Sequence, residues 1–99
     1  MRFEWDEAKN LSNQRKHRVS FEQASAVFLD SLYVSVQDRI EDGELRWQAV
    51  GMVENLLILT VAHTVREENA DGTSVEVIRI ISARPATRKG RRRYEDENS

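Results

Sequence analysis

From Arg79 to Arg93 every charged side chain is a cation, and the three residues Glu95, Asp96 and Glu97 that follow soon after are all acids. Guanidinium groups stay charged at any physiological pH and grip phosphate oxygens two at a time, so such a cluster suits an anion, and a phosphodiester in particular. Arg84, Arg88 and Arg91 or Arg92 recur at helical spacing and form a cationic stripe. Thr87 falls near the start of the same helix, where free backbone amides also favour anions. The alternative is a solvated basic face whose arginines pair with nearby acids.

His17 and His63 are the candidates for moving protons, because histidine titrates near neutrality. Each also has a structural reading. His17 closes a helix, where a cation is favoured by the helix dipole. His63 ends an apolar strand, where a lone histidine can serve as a hydrogen-bonded packing residue. With no cysteine there is neither a thiolate nucleophile nor a thiolate ligand. Two separated histidines and scattered acids make no HExxH motif, and there is no P-loop, GxGxxG or GxSxG. No metal or other cofactor is expected.

These residues need a frame. Ninety-nine residues predict one hydrophobic core, taken here as a single domain over 1–95 with a polar tail at 96–99. A net charge of −2 excludes a molecule that is basic throughout. The longest apolar run, Leu56 to Ala62, falls far short of a membrane span of ~20 residues. Acids sit where a signal peptide would have its apolar centre, so a cytoplasmic protein is expected.

Along the chain, Phe3 and Trp5 flank Glu4 as in a short strand, and Asp6 suits a helix N-cap. Glu7 to His17 reads as a surface helix anchored only by Ala8 and Leu11, with Lys9, Asn13 and Lys16 along one side. Ser20 and Gln23 form a capping box for a second helix, whose stripe is Phe21, Ala24 and Phe28 and which Asp30 and Ser31 end. The pattern then turns to strands at Tyr33–Val36, Leu45–Gly51, Leu56–Ala62 and Val75–Ser82. Polar loops are predicted over Asp38–Glu44 and Glu67–Ser74, the latter containing Asp71-Gly72. Short loops imply antiparallel pairing. Pro85 closes the last strand, and an arginine-rich helix follows over Ala86–Tyr94, before a frayed end from Glu95.

The last strand carries a difficulty. Strict alternation puts Val77, Arg79, Ile81 and Ala83 on one face, and Ile78, Ile80, Ser82 and Arg84 on the other. Arg79 is then separated from Ser82 and Arg84. Uniting them needs a bulge, or a strand that ends near Ala83.

Several segments together resemble the BrnT family of type II toxins. These are Phe3-Glu4-Trp5-Asp6 with Lys9, Asn13 and Lys16-His17, then Val19-Ser20-Phe21-Glu22 through Val27-Phe28 and Asp30. Arg46, Gly51, His63-Thr64 and Arg66 follow, and then Ile78 to Arg84 with Ala86-Thr87-Arg88, Arg92, Tyr94 and Glu95. The resemblance implies an α+β, RelE-like fold, with two N-terminal helices packed on an antiparallel sheet and a C-terminal helix. It also implies an endoribonuclease that arrests growth and is held by a BrnA-like antitoxin in a hetero-oligomer. Operator DNA is reached only through that antitoxin. Carried across, the site positions are Arg66, Arg79, Ser82 and Arg84, with Lys9 and His17. The residues themselves add His63 as a second proton carrier at the catalytic site, and Lys16, Arg88, Arg91 and Arg92 beside Lys9 and His17 as the RNA-binding set. Two departures stand out: the long polar stretch Glu67–Ser74, and Gly90 where the family pattern has an acid. Physically, the arginines fit a metal-independent cleavage in which the 2′-hydroxyl attacks and cations stabilise the developing charge. The competing reading is a non-catalytic module that docks nucleic acid or an acidic protein through the basic C-terminal helix.

Overall fold

The structure is a computed structural model that describes residues 1–99, apart from the side chain of Asn55. Five strands form one sheet in the order β1-β5-β4-β3-β2. They are β1 (Arg2–Glu4), β2 (Val34–Glu41), β3 (Glu44–Val53), β4 (Leu57–Ala70) and β5 (Thr73–Pro85). Helices α1 (Glu7–His17) and α2 (Phe21–Ser25) precede β2, and α3 (Arg88–Glu97) ends the chain.

The sheet is mixed, which corrects the expected antiparallel one. β2 to β5 are antiparallel neighbours, but β1 lies parallel to β5, with Arg2 opposite Val77 and Glu4 opposite Arg79. The expectation rested on short connections, and residues 5–72, about two thirds of the chain, lie between β1 and β5. A long connection is what permits parallel pairing.

Both hairpins are longer than their polar sequence suggests. The loop expected over Glu67–Ser74 shrinks to Asp71-Gly72, and the one over Asp38–Glu44 to Asp42-Gly43. All four turn residues have positive φ, between 52° and 79°, as a two-residue hairpin turn demands. Outside the core both faces of these strand ends meet water, so no apolar alternation marks them.

The main core lies on one face of the sheet. Phe21, Ala24, Val27 and Phe28 from α2 and the 3-10 turn Ala26–Leu29 pack on Ala49, Leu59, Val61, Ile78, Ile80 and Ala83. Gly51 is required here, because an added Cβ would stand 2.8 Å from Val27 Cγ1 and 3.1 Å from its carbonyl. On the other face a smaller cluster joins Val50 and Ile58 to Tyr94 of α3.

Helix α1 follows the expected bounds and the Asp6 cap, whose Oδ1 accepts from the Lys9 amide at 3.1 Å. Its anchoring is otherwise. Ala8 and Leu11 are exposed, and the residues driven inward are Asn10 and Asn13. The Asn13 carboxamide accepts from the Ala83 amide at 3.1 Å and donates to the Ala83 and Val19 carbonyls at 2.7 and 2.8 Å. Asn10 accepts from the Phe21 amide at 2.8 Å and donates to Glu7 and Glu22. Buried amides of this kind are stable only when their hydrogen bonds are made, and here they are.

Helix α3 starts at the Thr87 cap and runs through Glu97, where a frayed end was expected from Glu95. Asn98 then donates to the carbonyls of Leu32 and Tyr94. Among the described residues no helix is long and apolar enough to cross a membrane.

Candidate active site

Opposite Ala62 and His63 the β4–β5 register slips by one residue. Ala62 faces Ser82, His63 faces Ile80, and Ile81 is left over. This bulge resolves the parity difficulty. Before it, Ile78 and Ile80 point into the main core; after it, Ala83 does. Arg79, Ser82 and Arg84 therefore share the opposite face, across from Thr64, Ala62 and Thr60 in turn.

Three clefts receive these side chains. Ser82 lines one of about 180 Å³ with Lys9, Ser12, Lys16 and His17 of α1. Arg79 lines another of about 360 Å³ with Lys9, Arg46, Asp42 and Glu44. Lys9 and Ile81 belong to both. Arg84 opens into a third, of about 350 Å³, between β2, β3 and α3, with Thr60, Gln48, Lys89 and Arg93. Helix α1 can stand beside Ser82 because β1 stops opposite Arg79, and the freed edge of β5 is held by Asn13.

The cations differ in what they touch. Arg79 pairs with Glu44 at 2.5 Å, both side chains part-exposed. Arg46 pairs with Glu41 at 3.0 Å, and its buried Nε has no partner among the described residues. No ion pair involves Lys9, Lys16, Arg84 or any cation of α3 among the described residues. Arg88, Arg91 and Arg92 are exposed, and Arg92 lies beside Asp96 and Glu97 in a shallow surface dip.

Two of the expected catalytic residues are engaged differently. Arg66, on β4 two residues beyond Thr64 and on the face of Arg79, reaches across β5 to bind Glu4 through both terminal nitrogens, and lies 2.7 Å from Glu68, which also pairs with Arg2. The hydrogen bonds to Glu4 and then Glu68 raise the Arg66 pKa above its ordinary range. Those same bonds hold Glu4 and Glu68 below the usual carboxylate value. His63 is 2% exposed on the main-core face, edge-on to Phe28 with ring centroids 4.9 Å apart and Nδ1 3.2 Å from the Val61 carbonyl. Burial lowers its pKa, so the neutral ring is favoured. The fold thus separates His63 from Ser82 and Arg84 by the thickness of the sheet.

Sequence reasoning missed the supports of the site. Asn13 and Asn10 read as surface residues of a polar helix. Asp30 read only as a helix terminator, yet it accepts from Tyr94 Oη at 2.6 Å, the Met52 amide at 2.8 Å and the Leu32 amide at 3.0 Å. Burial alone would raise its pKa, but the three hydrogen bonds outweigh it and the net shift is downward. Burial and then Asp30 push the Tyr94 hydroxyl up to about 12. The late acids and the run of α3 gave no sign of this tie. Among the described residues no three His, Asp or Glu side chains group as a metal site.

Residues 5–90 match the family model described as the ribonuclease toxin, BrnT, of type II toxin-antitoxin systems. Among solved structures the fold is similar to the ribonuclease toxin BrnT of Brucella abortus, with a TM-score of 0.58 and 24% identity, over 89% of this chain and 99% of that one. No curated protein matches the chain significantly. The family model spans most of the sequence, and the chain belongs to the BrnT family of ribonuclease toxins of type II toxin-antitoxin systems.

Proposed function

We propose that this chain is a metal-independent endoribonuclease whose site is the second face of β5 together with α1, and that it is neutralised by a BrnA-like antitoxin. The observation that carries the reading is the Ile81 bulge, which sets Ser82 and Arg84 on one face, with Lys9 and Lys16, unpaired among the described residues, lining the Ser82 cleft. Type II systems pair a toxin with a protein antitoxin, and a ribonuclease toxin acts on RNA, so the family supports both partners. The helix-and-sheet arrangement is read in the same way as RelE-like.

In this mechanism Arg84 and the lysines seat the scissile phosphate and Ser82 orients it. The 2′-oxygen attacks phosphorus, the P–O5′ bond breaks, and a cyclic 2′,3′-phosphate forms. The proton leaves the 2′-hydroxyl and one is delivered to the 5′-oxygen. His17, which lines the Ser82 cleft, is the histidine assigned to that traffic, and the buried His63 is assigned to packing. Arg79, steered by Glu44, stabilises charge from the neighbouring cleft. Arginines held in place supply positive charge where it develops, without a metal. Arg88, Arg91 and Arg92 gather RNA by its backbone, an interaction that weakens as salt rises.

The test is cleavage of purified RNA by Arg79→Ala and Arg84→Ala, each checked for an intact fold. Loss of cleavage in both supports the site. Full cleavage by both variants, or abolition of wild-type activity by a chelator, overturns it.

A further inference from the structure

The groove that holds Arg84 has features that phosphate binding does not use. Its β side carries Val36 and Val50, an apolar surface, together with Gln48 and Asp38. Gln48 Nε2 donates to Asp38 Oδ2 at 3.0 Å, which fixes the carboxylate; Oδ1 has no partner among the described residues, and Oδ2 keeps a second lone pair to accept with. Asp38 is the extra residue of a second bulge, between Gln37 and Arg39, and so stands outside the β2–β3 ladder. Across the groove are Arg84, Lys89 and Arg93. None of the three pairs with Asp38 among the described residues, so the groove is open between a negative end and a positive one.

Position links this groove to the β5 face. Ser82, Ala62, Gln48 and Val36 form one row across four strands. Two strand spacings separate Ser82 from Gln48, or about 10 Å. Gln48 in turn holds Asp38, so a nucleotide with its phosphate on the Arg84 side of the groove extends its base across Val50 towards Asp38.

The carboxylate discriminates among bases. Guanine presents two adjacent donors, N1–H and the N2 amino group, which one carboxylate accepts together. Adenine and cytosine each set a ring acceptor beside a single amino donor, and uracil sets its one N–H between two acceptors. We propose that this groove is a guanine-selecting nucleotide pocket, with the Asp38 carboxylate reading the base and Arg84, Lys89 and Arg93 seating the phosphate. Its place beside a cleavage site rests on the ribonuclease reading above; its guanine selectivity does not.

The experiment measures binding of GMP, AMP, CMP and UMP to the whole chain by amide NMR titration, beside cleavage of oligonucleotides that contain one base each. GMP is expected to bind at least about tenfold more tightly than the other three. Its shifts should centre on Val36, Thr60 and Gly90. Asp38→Asn, nearly isosteric and on an exposed edge strand, should bring GMP down to the others, with an unchanged melting temperature showing that the fold holds. Gln48→Leu, which releases the carboxylate, should weaken the preference in part. Equal binding of all four nucleotides, or a guanine preference that survives Asp38→Asn, overturns the pocket. Guanine-selective binding with no cleavage of any RNA keeps the pocket and removes the ribonuclease reading. Cleavage without guanine-selective binding removes the pocket alone.

Discussion

Arginine is used in two ways in this molecule, and position along the sheet divides them. Towards β1 and the hairpin tips, Arg2, Arg39, Arg46, Arg66 and Arg79 all reach carboxylates. From Arg84 onward, and on α1 at Lys9 and Lys16, no such pair forms among the described residues. A cation already bound to two carboxylates, as Arg66 is, has its donors spent and its charge offset. An unpaired one beside an open cleft keeps both for an incoming anion. Identity and proximity in sequence therefore rank these residues poorly, and the partner each has found ranks them better.

The largest expected effect tests that division directly. Arg84→Ala should lower the single-turnover rate of RNA cleavage by ~10²–10³, the usual cost of removing one charge-stabilising donor. Arg66→Ala should cost far less, and equal losses in the two variants would remove the contrast. A second contrast lies in α1, between its buried amides and its exposed apolar residues. Asn13→Ala leaves the Ala83 amide and carbonyl without partners and should destabilise the fold by about 1–3 kcal/mol in urea unfolding. Leu11→Ala, at an exposed position, should stay within about 0.5 kcal/mol. If Leu11 proves the costlier, α1 is held by apolar contact after all.

Tyr94→Phe removes one of three hydrogen bonds to Asp30 and should cost about 1 kcal/mol. It should also speed trypsin cleavage within α3. The tyrosine pKa rises from 10.0 to about 12 on folding. The unfolded chain therefore loses its proton first, and stability falls as pH climbs through that window. Tyr94→Phe should abolish that alkaline loss. The smallest effect concerns His63, whose pKa is lowered by burial from 6.5. Below pH 6.5 the unfolded chain takes up a proton that the folded chain refuses, so stability falls as pH drops. His63→Leu should flatten that slope in pH-dependent melting curves, and a slope that persists would assign it to another group.

Much of the frame was legible in the sequence because local chemistry states it. Asp6 and Ser20 cap their helices, Asp71-Gly72 turns a hairpin, and Pro85 precedes α3. The apolar run at Leu56–Ala62 lies in a central strand except for Leu56, which ends a 3-10 turn at positive φ. Other features have no local mark. Asn10 and Asn13 look like solvent-facing residues until distant backbone groups come to meet them. The parallel partner of β1 lies at the far end of the chain. The bulge hides in Ile80-Ile81, where two like residues in succession fit either register. Candidate residues could thus be named from sequence, but which of them share a face could not. That depended on one leftover isoleucine.

The hold of Asn13 on Ala83 has one more consequence. An open strand edge is a template on which another chain can add itself, and proteins commonly cover or interrupt such edges. Beyond Glu4, β1 no longer protects β5, and a side-chain amide takes over with the same donor and acceptor as a peptide bond. Unlike a sixth strand, it leaves no new edge behind it. Asn13 is in this sense a stopper against self-assembly, and its loss invites aggregation through β5 as well as lower stability.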